Sequence, residues 1–198
     1  MSLFLIRYDL KGYEASTLQE KDFIVSLTLA QFNDFDQDQA TSALLTCCTS
    51  SRWAHNVASA RPFETLEALI AHSDTVWSKV QQQESDLLEA LDGHPQIGNV
   101  ATLKEKYRNT ADSAAHEQSG ANEADDEVLE ALAQGNQAYL DKFGFIFIVF
   151  ATGKSAKQML DLLLARLPNE RATELVNAAT EQNKITRLRL NKLFEQAV

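Results

Sequence analysis

Apolar residues recur three and four positions apart along most of this chain, the signature of helices that pack through one face. Asp36 caps a helix predicted over 37–48, where Ala40, Leu44, Leu45 and Cys48 share a side. A short helix over 50–59 carries Trp53 and Val57 one turn apart, and Arg61-Pro62-Phe63 then breaks the path. Two more helices are predicted over 64–77, through Leu66, Leu69, Ile70 and Trp77, and over 79–91, through Leu87, Leu88 and Leu91. Gly93 stands where a left-handed helix terminator is expected. Residues 99–112 read as loop and 113–120 as a helical turn. Asp125 is placed to cap a helix over 126–142 that Gly144 stops, and Ser155 to cap another over 156–167. The last helix runs over about 169–195. The run from Phe145 to Ala151 is aromatic and β-branched. A lone strand would have no partner here, so it reads as helical or extended inside a bundle.

The pattern therefore predicts an all-α, single-domain helical bundle of about seven to nine helices. Residues 1–28 lack amphipathic periodicity and form an N-terminal arm, and 29–198 form the helical domain. With three prolines and seven glycines among 198 residues, breakers are few.

Charge narrows the partners. A net charge of −10 and a pI near 4.8 argue against nucleic acid and against an anionic membrane surface, both of which attract concentrated basic patches. The apolar run Leu3-Phe4-Leu5-Ile6 is too short for a signal core or a membrane span. The two cysteines, Cys47 and Cys48, are adjacent and have no third partner, so a reducing, cytoplasmic setting is expected. No HxxxH, HExxH or CxxC spacing points to a metal site.

Three residues stand out as chemistry. His94 lies between Gly93 and Pro95, just past a helix end, where proline stiffens the backbone and an imidazole can move protons. Taken alone it also reads as a turn histidine on the surface. Glu117 is surrounded by small residues (Ala114, Ala115, Ser119, Gly120), which let a ligand approach, though taken alone it reads more simply as a solvated acid on an acidic protein. Arg189 falls between Ile185 and Leu193 on an apolar stripe, where an unpaired charge is costly, so it either pairs with a carboxylate or binds an anion. Arg187 lies roughly 200° away around the helix and reads as solvated. His55 and His72 read as surface residues.

In order along the chain, Arg61-Pro62-Phe63, His94-Pro95-Gln96-Ile97-Gly98, Glu117-Gln118-Ser119-Gly120-Ala121, Lys142-Phe143-Gly144-Phe145-Ile146-Phe147 and Lys184-Ile185-Thr186-Arg187-Leu188-Arg189-Leu190 resemble the ordered motifs of the 2-oxo-4-hydroxy-4-carboxy-5-ureidoimidazoline (OHCU) decarboxylases, from about Leu29 onward. The resemblance implies a homodimeric helical enzyme of urate breakdown that needs neither cofactor nor metal and releases (S)-allantoin. It implies that His94 donates a proton and that Glu117 is its acidic companion. It also implies that Pro95, Gln118 and Arg189 contact substrate, and that the main chain of Phe147, Ile148, Val149, Phe150 and Ala151 binds the ring. The family usually has a serine where this chain has Ala114. Ser113, one residue earlier, falls near the same helical face and is the expected substitute. Ile146 stands where proline is frequent. The competing readings are a divergent enzyme acting on a related ureido or imidazoline compound, and a non-catalytic helical binding module.

Overall fold

Capping side chains set where most of the helices begin. The computed structural model describes residues 27–95, Leu103 and 119–194. Thr28 opens α1 (Leu29–Asp34) with a capping box completed by Gln31, and Asp36 opens α2 (Gln37–Leu45) with one completed by Gln39. Ser50 caps α3 (Ser51–Ala58), and Thr65 caps α4 (Leu66–Val80). α5 (Glu84–Asp92) starts after a three-residue turn. α6 (Ser119–Phe143) is followed by the irregular segment 146–151, then by α7 (Ala156–Arg166), capped by Ser155, and α8 (Arg171–Leu193). Eight helices and no strand occur among the described residues, so the chain is all-α. None of these helices is long and apolar enough to cross a membrane.

Several boundaries differ from the sequence expectation for identifiable reasons. α1 was not anticipated, although Thr28 and Gln31 spell its capping box. α6 is one helix of 25 residues and starts before Asp125, because no proline or glycine interrupts 121–134. Gly93 has φ −71°, an ordinary right-handed value. Glycine is required there by crowding: a Cβ would sit 2.3 Å from Thr49 Cγ2, and Thr49 Oγ1 is fixed by donating to Glu89 O at 2.8 Å. Gly144, by contrast, has φ +75°, the left-handed turn that ends α6 as expected. His55 is exposed, whereas His72 is half-buried with its ring 5.7 Å from that of Phe63. Arg187 is largely exposed, 3.6 Å from Asp74.

The core forms between α2, α3, α4, α5 and α8, with α6 and α7 packed on each other. Trp53 is fully buried and donates from Nε1 to Ser73 Oγ at 3.2 Å. Trp77 donates to Ala179 O at 3.1 Å and so pins α4 to α8. Each indole thus contributes a large apolar area without leaving its N–H unpaired. Arg61, from the first motif, donates to Ala58 O (2.7 Å), Phe32 O (3.1 Å) and Phe35 O (2.5 Å). It therefore ties the ends of α1 and α3 together, a structural role. α8 runs past both α4 and α5, which places its inner face behind His94.

Candidate functional site

α8 supplies the base of the site. Its buried line is Glu174, Ala178, Gln182, Thr186 and Leu190, spaced every fourth residue, so polar side chains share the stripe with apolar ones. His94, just past α5, lies against this line, and its Nε2 is 2.6 Å from Gln182 Oε1. Arg189, also on α8, donates to Cys47 O at 3.2 Å and has no carboxylate partner among the described residues. A guanidinium held by one carbonyl retains donors for an anion.

His94, Pro95, Leu103, Leu132, Asn136, Ile146, Phe147, Ile148, Val149, Ala151, Met159, Ile185 and Arg189 enclose a cavity of about 250 Å³. The structure thus brings His94, Pro95, Phe147, Ile148, Val149, Ala151 and Arg189 to one place. Phe150 is the exception within its stretch: its N–H donates to Glu181 Oε2 at 2.7 Å and so is not available to a ligand. Ser113, Ala114, Glu117 and Gln118 lie outside the described residues.

The wall 146–151 has no regular secondary structure, and no strand lies beside it among the described residues. It is held by side chains instead. Arg166 Nη1 donates to Ile148 O at 2.8 Å, and Lys154 Nζ donates to Phe150 O at 2.8 Å. The N–H groups of Ile148 and Val149, two residues that line the cavity, have no partner among the described residues.

Behind the wall, Arg166 lies 4.8 Å over the Phe147 ring and pairs with Glu174 at 2.7 Å. Asn169 and Asn177 each donate to Glu174 Oε1 at 2.7 Å, and Tyr139 OH donates to Oε2. Burial pushes the Glu174 pKa up, but these donors together outweigh burial and hold it below the usual carboxylate value. Burial and the same carboxylate push the Tyr139 pKa well above its usual range, so it stays a donor.

Burial lowers the His94 pKa below 6.5, and the Arg189 charge lowers it further, while the Gln182 bond partly opposes both. Near neutral pH the imidazole is therefore mostly uncharged and can accept a proton before giving one back. Burial raises Cys47 to about 12 and Cys48 to about 11, so neither thiol is a nucleophile here.

The sequence reading missed Leu132, Asn136, Met159 and Ile185 as lining and Gln182, Arg166 and Glu174 as supports. Leu132 and Asn136 lie one turn apart on α6, a signal open to either core or cavity. Glu174, Gln182 and Thr186 share one face of α8, and that polar register was the available clue.

A family model for OHCU decarboxylase matches residues 33–191. The chain is 37% identical over 148 residues to the uric acid degradation bifunctional protein TTL of Arabidopsis thaliana, covering 75% of this chain and 45% of that protein. It therefore spans less than half the length of that relative. It is 28% identical over 169 residues to the 2-oxo-4-hydroxy-4-carboxy-5-ureidoimidazoline decarboxylase of Halalkalicoccus jeotgali, covering 84% of this chain and 92% of that one. A crystal structure of an OHCU decarboxylase in the presence of (S)-allantoin superposes with a TM-score of 0.61 at 35% identity, covering 77% of this chain and 96% of the other.

Proposed function

This chain belongs to the OHCU decarboxylase family, and from that premise we propose that it decarboxylates 2-oxo-4-hydroxy-4-carboxy-5-ureidoimidazoline to (S)-allantoin in urate breakdown. The observation that carries the reading is the cavity itself: a shielded imidazole, an arginine with spare donors and a wall that includes Ile148 and Val149, whose N–H groups have no partner among the described residues, meet in a space that fits a small anionic ring.

The chemistry needs only proton handling and charge stabilisation. The ring–carboxylate bond breaks and CO2 leaves. Its electron pair forms a C=C bond to the neighbouring imine carbon, while the imine electrons move onto the ring nitrogen. The hydroxyl then gives up its proton to His94 as its carbon becomes a carbonyl, the former imine carbon takes a proton on one face, and the ring nitrogen takes one from water. In this proposal Arg189 and the N–H groups of Ile148 and Val149 stabilise the developing anion. His94, mostly neutral when substrate arrives, accepts a proton in the same turnover and delivers it to that carbon. Glu117 hydrogen-bonds His94 or the substrate hydroxyl, and Pro95, Gln118 and Ser113 position the ring.

The same reading takes 29–198 as the catalytic domain, supported by the family match over 33–191, and 1–28 as an arm. It includes a homodimer, by the family resemblance, and a cytoplasmic setting, supported by two free buried cysteines. The substrate is a small molecule. Nucleic acid and membrane are not partners, in keeping with the acidic surface.

Circular dichroism of allantoin formation tests the function. Urate is converted in place by urate oxidase and hydroxyisourate hydrolase, and the protein is added. A rapid signal for the S enantiomer is expected. Racemic product forming at the spontaneous rate would overturn the proposal.

A further inference from the structure

We propose that Gln182 is a positioning residue for His94: its amide oxygen holds the imidazole in the Nε2–H form, so Nδ1 is the nitrogen that takes up and releases the proton. The catalytic consequence rests on the decarboxylase reading, whereas the tautomer is a property of the folded protein and is tested separately.

The assignment follows from a chain of hydrogen bonds with a single consistent direction. Gln182 is wholly buried on the inner face of α8. One turn on, Thr186 Oγ1 donates to Gln182 O at 3.0 Å, the usual bond of a helical hydroxyl to the carbonyl four residues back. That uses the only hydroxyl proton, so the oxygen can meet Gln182 Nε2, 3.1 Å away, only as an acceptor. With the amide NH2 facing Thr186, the amide oxygen faces His94, where it lies 2.6 Å from Nε2. An amide oxygen cannot donate, so the hydrogen of this short contact is on Nε2. A neutral imidazole carries one N–H, which leaves the lone pair on Nδ1. The opposite amide orientation would set NH2 against His94 and leave the oxygen facing a hydroxyl whose proton is already committed.

Gln182 does not line the cavity, so it acts on substrate only through His94. Among the described residues, Arg189 is the charged group that acts on the imidazole, and its positive charge opposes a second proton on the ring. The neighbours Thr186 and Cys48 carry no charge near neutral pH. The device resembles the group that orients an imidazole in hydrolase triads, with an uncharged amide in place of the carboxylate.

Long-range proton–nitrogen NMR on the full chain labelled with 15N-histidine reads the tautomer directly. His94→Asn assigns the signals, since the chain holds four histidines. At a pH above the His94 titration, the unsubstituted protein is expected to show a pyridine-type Nδ1 and a pyrrole-type Nε2; the reverse pattern overturns the proposal without need of a folded Gln182 variant. Gln182→Met, which removes the acceptor at similar volume, is expected to give a tautomer mixture. It should lower kcat by roughly 10–10³-fold, less than the ~10⁴-fold loss that a wrong tautomer causes in the triad case, with KM little changed. Gln182→Glu restores an acceptor and should restore the Nε2–H form. A Gln182→Met protein with an unshifted tautomer, or with its loss confined to KM, overturns the positioning role. Should the protein make no allantoin while the tautomer and its response to Gln182→Met are as stated, the functional reading fails and the positioning stands.

Discussion

Arg166, in the last turn of α7, reaches the fully buried carboxylate of Glu174 near the start of α8, with guanidinium and carboxylate 2.7 Å apart. The same guanidinium donates to Ile148 O and lies over the Phe147 ring, so one side chain joins a buried ion pair to the cavity wall. Arg166→Ala strands a buried charge and should destabilise the fold by roughly 3–5 kcal/mol, measured by urea denaturation. A loss under 1 kcal/mol would mean that the two asparagines and Tyr139 suffice for Glu174.

The Glu174 pKa is held below the usual 4.5. A lowered carboxylate contributes stability that is fully present above the unfolded value and is lost as pH falls through the folded one. The urea midpoint should therefore drop as pH is taken below about 4.5, and Glu174→Gln should flatten that part of the profile. Identical slopes in the two proteins would place acid sensitivity elsewhere.

His94→Ala should remove both the rate enhancement and the optical purity of the product. The rate loss expected for a general acid–base group is ~10²–10⁴-fold. Circular dichroism follows allantoin, and the thermal midpoint checks that the fold persists. Stereospecific turnover by this variant would remove His94 from the chemistry.

Among the described residues Arg189 makes one hydrogen bond, to Cys47 O. Arg189→Ala should thus cost little stability but weaken ground-state and transition-state binding by about 1.5–3 kcal/mol, the range for hydrogen bonds to charged groups. Steady-state kinetics should show this in kcat/KM. Lysine should restore only part of it, because a point charge cannot reproduce the planar fork.

Gly93→Ala places a Cβ 2.3 Å from Thr49 Cγ2 and 2.4 Å from its Oγ1. Thr49 is fixed by its bonds to Glu89 O and Ala90 O, so the clash cannot relax freely. The expected cost is about 1–3 kcal/mol by urea denaturation, in the range for overpacking. Because His94 follows directly, activity should fall further than stability alone explains.

Much of the helical scaffold was legible, because caps and apolar spacing are local signals: Asp36 and Ser155 cap the helices that their positions announce. The cavity residues His94 and Arg189 drew notice through local context, a proline neighbour and a charge on an apolar stripe. What supports them was hidden. Gln182 and His94 are 88 residues apart in sequence, and Arg166 meets Ile148 across a turn that no periodicity encodes. Glu174, Gln182 and Thr186 broke the apolar pattern of α8, so a reading based on hydrophobicity placed the inward face of that helix at Ile185, Arg189 and Leu193. The 145–151 run defeated pattern reading for another reason. Its conformation is imposed by Gly144 at one end and by side chains from α7 and α8 along its length.

A cavity wall that includes main-chain N–H groups without a partner among the described residues has a consequence for inheritance. A side chain can be exchanged by one codon change, but a main-chain N–H persists under every substitution except proline. Selection on this wall therefore falls on the residues that hold it, Arg166, Glu181 and Lys154, more than on the wall itself. A saturation library should tolerate exchanges among apolar residues at Ile146 and Val149 and reject proline at Ile148 and Val149. Descendants of this chain can thus drift in the letters of the wall while keeping its donors in place.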